Sequence, residues 1–147
     1  MKIFGKRDWN IGVKHGEWGE RFACKYLRKI GYEIVDRNVR PCKWDLRYEI
    51  DIIAYFKDTN TIVFVEVKQH SSRSPYQNRL RSVNARKMKL LHTACRTWLR
   101  NKKWNGNYRF DVVEIYGTPE DKTTPEIDHV ERVRLFERPD RFVDWAM

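Results

Sequence analysis

"EIDIIAYFKDTNTIVFVEVKQH", Glu49 to His70, reads as two apolar strands about a short polar turn, with three charges where a sheet should be driest: Asp51, Glu66 and Lys68. The β-branched and aromatic content of residues 48–56 and 61–69 predicts two strands, and "KDTN" between them predicts a hairpin. If the chain reverses about Asp58 and Thr59, Asp51 falls opposite Glu66, with Cβ atoms about 5 Å apart. Side chains alternate along a strand, so Lys68 shares the face of Glu66 while Ile50, Ile52, Val65 and Val67 point to the other, buried face. After Thr61 the stretch "IVFV" is apolar on both faces, which marks its strand as central and covered.

Two carboxylates held that close repel unless one takes a proton or a cation sits between them. Oxygen-only ligands suit a hard ion, Mg²⁺ or Mn²⁺, which keeps several waters and completes its shell with phosphate oxygens. On this reading Asp51 and Glu66 are ligands, and the carbonyl of Val67 is an extra one. Lys68 then orients or helps deprotonate the attacking water, or neutralises charge developing at phosphorus. The competing reading is a cross-strand ion pair on a solvated face, worth less than about 1 kcal/mol. The apolar strand argues against it, because uncompensated charge there is costly.

At 147 residues, 41% of them hydrophobic, the chain fits one domain with a real core. Thirty Lys and Arg against 20 Asp and Glu give +10, which favours a polyanionic partner, nucleic acid first. A membrane surface is the rival. The basic residues are read as spread along the chain, not gathered on one amphipathic helix beside an apolar anchor, so no membrane association is expected. No stretch has signal-peptide or spanning length, so a cytoplasmic protein is expected. Cys24, Cys42 and Cys95 form no CxxC pair, and neither a disulfide framework nor a cysteine zinc site is indicated. Cys24 and Cys95 fall in helical patterns as small buried hydrophobes, and Cys42 lies in a loop.

Around the hairpin, Trp18, Phe22, Tyr26, Leu27 and Ile30 recur at helical spacing, with Gly31 as the C-terminal cap. Residues 32–40 predict a strand, and "PCKWDLR" a loop. Ser82 is a candidate cap for a second helix whose buried stripe is Val83, Leu91, Ala94, Cys95, Trp98 and Leu99. Strands are predicted over 109–117 and 127–136. The order α-β-β-β-α-β-β implies one mixed sheet flanked by helices: a domain over 1–136 and a polar tail over 137–147.

Asp51, fourteen intervening residues, then Glu66-Val67-Lys68 is the D…E-x-K signature of the PD-(D/E)XK nuclease superfamily, with Ile50 in place of the proline. The ordered strings "GEWGERFACKYLRKIGYEIVDRN", "EIDIIA", "VFVEVKQH", "SVNARKMKLL" and "RFDVVEI" resemble the YraN-like family, which is related to archaeal Holliday-junction resolvases. The likeness runs from about Gly12 to Phe136. It implies a restriction-endonuclease-like α/β fold and a metal-dependent endonuclease, with branched or structured DNA ahead of RNA as substrate. By analogy with the resolvases, a homodimer would suit a two-fold junction. The alternative is a non-catalytic nucleic-acid-binding module with the same fold.

In the related resolvases a helix-one glutamate four residues after a glycine joins the metal site, and here Gly16 leads to Glu20. Helix geometry puts Glu20 at the flank of the apolar stripe, with Glu17 nearly away from it. A simpler reading keeps Glu20 as an N-terminal-turn acid favoured by the helix dipole. The family commonly carries an arginine where this chain has His70, and the nearest arginine is Arg73, so a phosphate contact is weakened or relocated. Glu49 resembles the family's glutamate before the aspartate, either supporting the site or marking the strand's wet start. Lys87 matches a family lysine on helix two, as a phosphate contact or a solvated lysine. Asp111 is expected to pair with a neighbour such as Arg109 or to bond backbone. Trp18 and Trp98 read as core, while Trp44 and Trp104, in basic loops, are the candidates for base stacking.

Overall fold

The structure, a computed structural model, describes residues 15–71 and 85–134. Arg73, the Ser82 cap, Val83 and the 137–147 tail lie outside the described residues. In chain order the elements are α1 (His15–Lys29), β1 (Glu33–Val39), β2 (Ile50–Phe56), β3 (Thr61–His70), α2 (Ala85–Asn101), β4 (Asn107–Tyr116) and β5 (Glu126–Val130).

The five strands form one mixed sheet in the order β1-β2-β3-β4-β5. β3 runs antiparallel to β2 and parallel to β4, with α2 as the crossover between the parallel pair. A helix on each face makes this an α/β domain of three layers. The hairpin register is the one its sequence predicts: Ile52 pairs with Val65, Ile53 with Phe64 and Phe56 with Thr61. A single turn of 3₁₀ helix, Lys57–Thr59, followed by Asn60 in the left-handed conformation (φ 50°) closes the turn. Burial of β3 is complete from Thr61 to Glu66, as a central strand requires.

Gly31 ends α1 with φ 101°, and the Gly31 and Tyr32 N–H groups close on the carbonyls of Arg28 and Leu27. α1 packs Ala23, Cys24 and Leu27 against Ile52, Ala54, Val63, Val65, Val113 and Ile115. α2 packs Leu91, Ala94, Cys95, Trp98 and Leu99 against Ile53, Ile62, Phe64, Phe110 and Val112.

Two expectations need correction, and Cys42, in its loop as expected, makes a contact with α2. Ile50 belongs to the α2-side core, not to the face of Ile52, although it is still within β2 and pairs there with Val39 of β1. β5 stops at Val130 because Arg132 turns the chain with φ 56°, after which the Val133 N–H donates to the Phe110 carbonyl at 2.7 Å. Cys42 is fully buried, its Sγ 3.4 Å from Thr97 Oγ1 on α2, which ties the β1–β2 loop to that helix.

Candidate functional site

Beyond the Ile52–Val65 pair the backbones of β2 and β3 give way to a side-chain bond: Asp51 Oδ2 accepts the Val67 N–H at 2.9 Å. The carboxylate is thereby fixed at the mouth of the hairpin. Glu20 of α1 and Glu49, just before β2, bring one oxygen each to the same place, and with Asp51 these oxygens lie within 4.8 Å of one another. Gly19 faces Gln69 of β3, where an added Cβ would stand 2.8 Å from Gln69 Oε1 and the glutamine's end would have to move. Asn38, with φ 52° inside β1, gives Glu20 a hydrogen bond, and Arg40 Nη2 holds Glu49 Oε2 at 2.8 Å.

Glu66 is only 3% exposed. Its Oε1 receives Lys87 Nζ from α2 at 2.6 Å and Lys68 Nζ at 3.3 Å. The motif's glutamate is therefore clamped by two ammonium groups, beside three carboxylates that crowd one another.

The electrostatics follow from burial. Desolvation, with repulsion from Glu49 and Glu17, pushes Glu20 up to about 7 against the opposing Asn38 bond and Arg37 charge. Desolvation and then the charge of Glu66 lift Asp51 well above the usual carboxylate range, although the Val67 N–H favours its charged form. Burial and the neighbouring Lys87 hold Lys68 below the ordinary lysine value. Burial is the largest influence on Lys87 and opposes its charge, but Glu66, Lys68 and Asp51 together outweigh it and keep that ammonium above its ordinary value. A cation among these carboxylates could relieve acids that each other's charge and desolvation push toward protonation. The all-oxygen donor set of Glu20, Glu49 and Asp51 fits a hard divalent ion.

The other sequence candidates scatter. His70 stacks on Tyr116 with centroids 4.9 Å apart, and its Nε2 lies 3.4 Å from Glu114 Oε1. Trp44 is 70% exposed on the β1–β2 loop. Trp104 is corrected: it packs against the α2-side core, edge-on to Tyr55, and its Nε1 donates to the Asn107 carbonyl. Asp111 is fully buried on the α1 side, bonded by Arg109 Nε at 3.0 Å, His129 Nε2 at 2.7 Å and the Arg132 N–H at 3.0 Å. Among residues not singled out beforehand, Asn38 carries a signal in hindsight: an asparagine inside an otherwise β-forming run.

The mixed sheet, the flanking helices and the acidic mouth of the β2–β3 hairpin define a restriction-endonuclease-like α/β domain. The profile described as "Uncharacterised protein family UPF0102" matches residues 19–115, and the chain belongs to that family, the YraN-like group, which is nuclease-like and related to Holliday-junction resolvases. A UPF0102 protein of Caldicellulosiruptor saccharolyticus is 44% identical over 103 residues, covering 69% of this chain and 80% of its own. One from Geotalea uraniireducens is 42% identical over 118 residues, covering 78% and 84%. A solved structure of Pyrococcus furiosus SfsA in complex with Ca²⁺ aligns over 79% of this chain and 61% of its own, at 14% identity and a TM-score of 0.33.

Proposed function

We propose that this protein binds nucleic acid and hydrolyses its phosphodiester bonds with a divalent metal, Mg²⁺ or Mn²⁺, as an endonuclease acting on DNA ahead of RNA. The observation that carries the reading is the convergence of Glu20, Glu49 and Asp51 oxygens within 4.8 Å, beside Glu66 and Lys68. Asp51 and Glu20 would hold the ion, with Glu66 and the Val67 carbonyl as further ligands and Glu49 supporting. A bound divalent ion supplies charge neutralisation and an acidified water. The chain's own residues do the rest. Lys68, with its charge weakened by burial, is suited to take up or hold a proton of the attacking water. Lys87 is suited to a phosphate oxygen once Glu66 turns from it. His70, now stacked on Tyr116, and Arg73 are the sequence's candidates for further backbone contacts, and Trp44 offers a ring to a base.

A second reading has its own support. Glu66 is paired with both Lys68 and Lys87, as in a site that binds without turnover. Cleavage of a labelled panel (branched DNA, single strands, duplex, structured RNA) with Mn²⁺ or Mg²⁺ against EDTA separates the two, with Asp51→Ala as control. Metal-dependent cleavage absent in Asp51→Ala supports the endonuclease. Equal binding by both proteins, without cleavage of any substrate, supports the non-catalytic module.

A further inference from the structure

We infer that the outward face of α2 is a docking ridge for a nucleic-acid backbone, leading it away from the acidic site; this rests on the nucleic-acid reading above. From Val67 to Phe110 the sequence contains twelve Lys and Arg and not one Asp or Glu. This segment therefore carries more than the whole net charge of +10, and the remainder of the chain is slightly acidic. The basic residues are spread along the chain, as expected, but the net positive charge is concentrated in this segment because it has no acids.

Within α2, Arg86, Lys89, Arg96 and Arg100 recur at steps that return to one side of a 3.6-residue helix. All four are exposed, while Leu91, Ala94, Cys95, Trp98 and Leu99 fill the opposite side. Lys102 and Lys103, also exposed, continue the run beyond the helix. None of these six forms an ion pair with a carboxylate among the described residues. Among the described residues no carboxylate neutralises them, and Lys102 alone lies over a ring, that of Trp98. The ridge's field is felt locally: burial and then the Arg96 charge push His92 down to about 4.

The ridge has a length and a direction. From Arg86 to Arg100 it spans about 21 Å, which matches about six phosphates along one strand. Lys87, beside Arg86, reaches Glu66 at 2.6 Å, so one end of the ridge opens on the acidic site. The Cys42–Thr97 contact ties the β1–β2 loop to the same helix, and that loop presents Trp44. A cationic track with an exposed indole carried on the adjoining loop suits a strand with unpaired bases. Among the described residues α2 itself exposes no apolar side chain, and the adjoining loop adds only Trp44 and Leu46, short of the apolar face an amphipathic membrane helix presents, which favours nucleic acid over an anionic membrane.

The test uses the full chain carrying Asp51→Ala, so that binding is measured without cleavage, against the same chain with Arg96→Glu and Arg100→Glu added. Labelled single-stranded, duplex and branched DNA are titrated by fluorescence anisotropy at several salt concentrations. Loss of two phosphate contacts makes the log–log salt slope shallower by about 1.8 on duplex and about 1.4 on single strands, and weakens binding at low salt at least about tenfold. Arg96→Gln with Arg100→Gln gives the same slope change should the reversed charges prevent folding. Trp44→Ala weakens single-stranded and branched DNA about fivefold or more and spares duplex. Unchanged slopes in both double variants, with the parent binding normally, overturn the ridge and leave the nucleic-acid reading standing. A parent that binds no nucleic acid overturns both. Capture by phosphatidylserine vesicles, lost in the double variants and unaccompanied by DNA binding, assigns the face to a membrane and overturns the proposal.

Discussion

Lys87 Nζ and Glu66 Oε1 stand 2.6 Å apart, bridging the first turns of α2 to the central strand, and Lys68 Nζ approaches the same oxygen at 3.3 Å. Removing Lys87 leaves a buried carboxylate with one partner, so Lys87→Met should cost about 1–2 kcal/mol of stability. The same change removes a group that depresses Lys68, whose ammonium should then titrate at higher pH. Thermal melting and NMR of ¹³C-labelled lysine side chains measure the two effects. A variant with unaltered Lys68 titration would mean that burial alone sets that value.

Asp51 is held among like charges by the Val67 N–H, a geometry that costs the metal-free fold and suits the metal-bound one. Asp51→Asn removes one of three converging charges, so the metal-free protein should melt at higher temperature than wild type. The stabilisation that Mn²⁺ gives the wild type should be lost, and any cleavage should fall by on the order of 10²-fold or more. Melting curves with Mn²⁺ and with EDTA read both signs. A variant stabilised by Mn²⁺ as much as wild type would place the ion elsewhere.

Glu20 in the folded chain keeps its proton up to about 7, against 4.5 for the ordinary group. Between those values the native state binds the extra proton. This contribution to stability is therefore full below about 4.5 and is lost as pH rises through about 7. The metal-free protein should melt at progressively lower temperature from about pH 5 to about pH 8, with Glu20→Gln flattening the decline. Saturating Mg²⁺ or Mn²⁺ should reverse the trend, since the ion binds the deprotonated carboxylates. Melting that is flat in pH without metal would remove Glu20 from the coupled cluster.

Local signals carried most of the architecture. The hairpin register followed from strand patterning about "KDTN", and the end of α1 from Gly31, because both depend on residues close in sequence. What was not legible depends on distant neighbours. Asn38 reaches Glu20 only after β1 lies beside α1, and Lys87 reaches Glu66 only after the α2 crossover. Trp104 looked like a loop tryptophan because nothing near it in sequence announces Tyr55. Glu49 was noticed for its face, yet its place among the converging oxygens needs Glu20 from another element.

Asp111 tests whether the acidic mouth of the hairpin and the buried polar network on the α1 side are separate. Although desolvation would raise it, hydrogen bonds from His129 and Arg109, the Arg109 charge and the Arg132 N–H hold Asp111 below its ordinary value. Arg109 also reaches Glu131 at 3.1 Å and the Tyr32 hydroxyl, and Tyr26 bonds His129 at 2.9 Å, so β4, β5, α1 and the start of β1 share one network. With a buried arginine already satisfied by two acids, the group Asp111, His129 and Glu131 is spent on structure, whereas in the group Glu20, Glu49 and Asp51 the arginine contact is the half-exposed Arg40 on Glu49 at 2.8 Å. Asp111→Ala leaves Arg109 to the exposed Glu131 and the Tyr32 hydroxyl and should cost about 1.5–3 kcal/mol. Because a folded-state pKa below the unfolded value stabilises only above that unfolded value, the wild-type contribution is lost as pH falls below about 3.8. Denaturant unfolding of the variant at neutral pH gives the cost, and Mn²⁺ titration of the remaining folded protein should give the wild-type affinity. A variant that keeps its stability but loses Mn²⁺ would move the metal to the α1 side of the sheet.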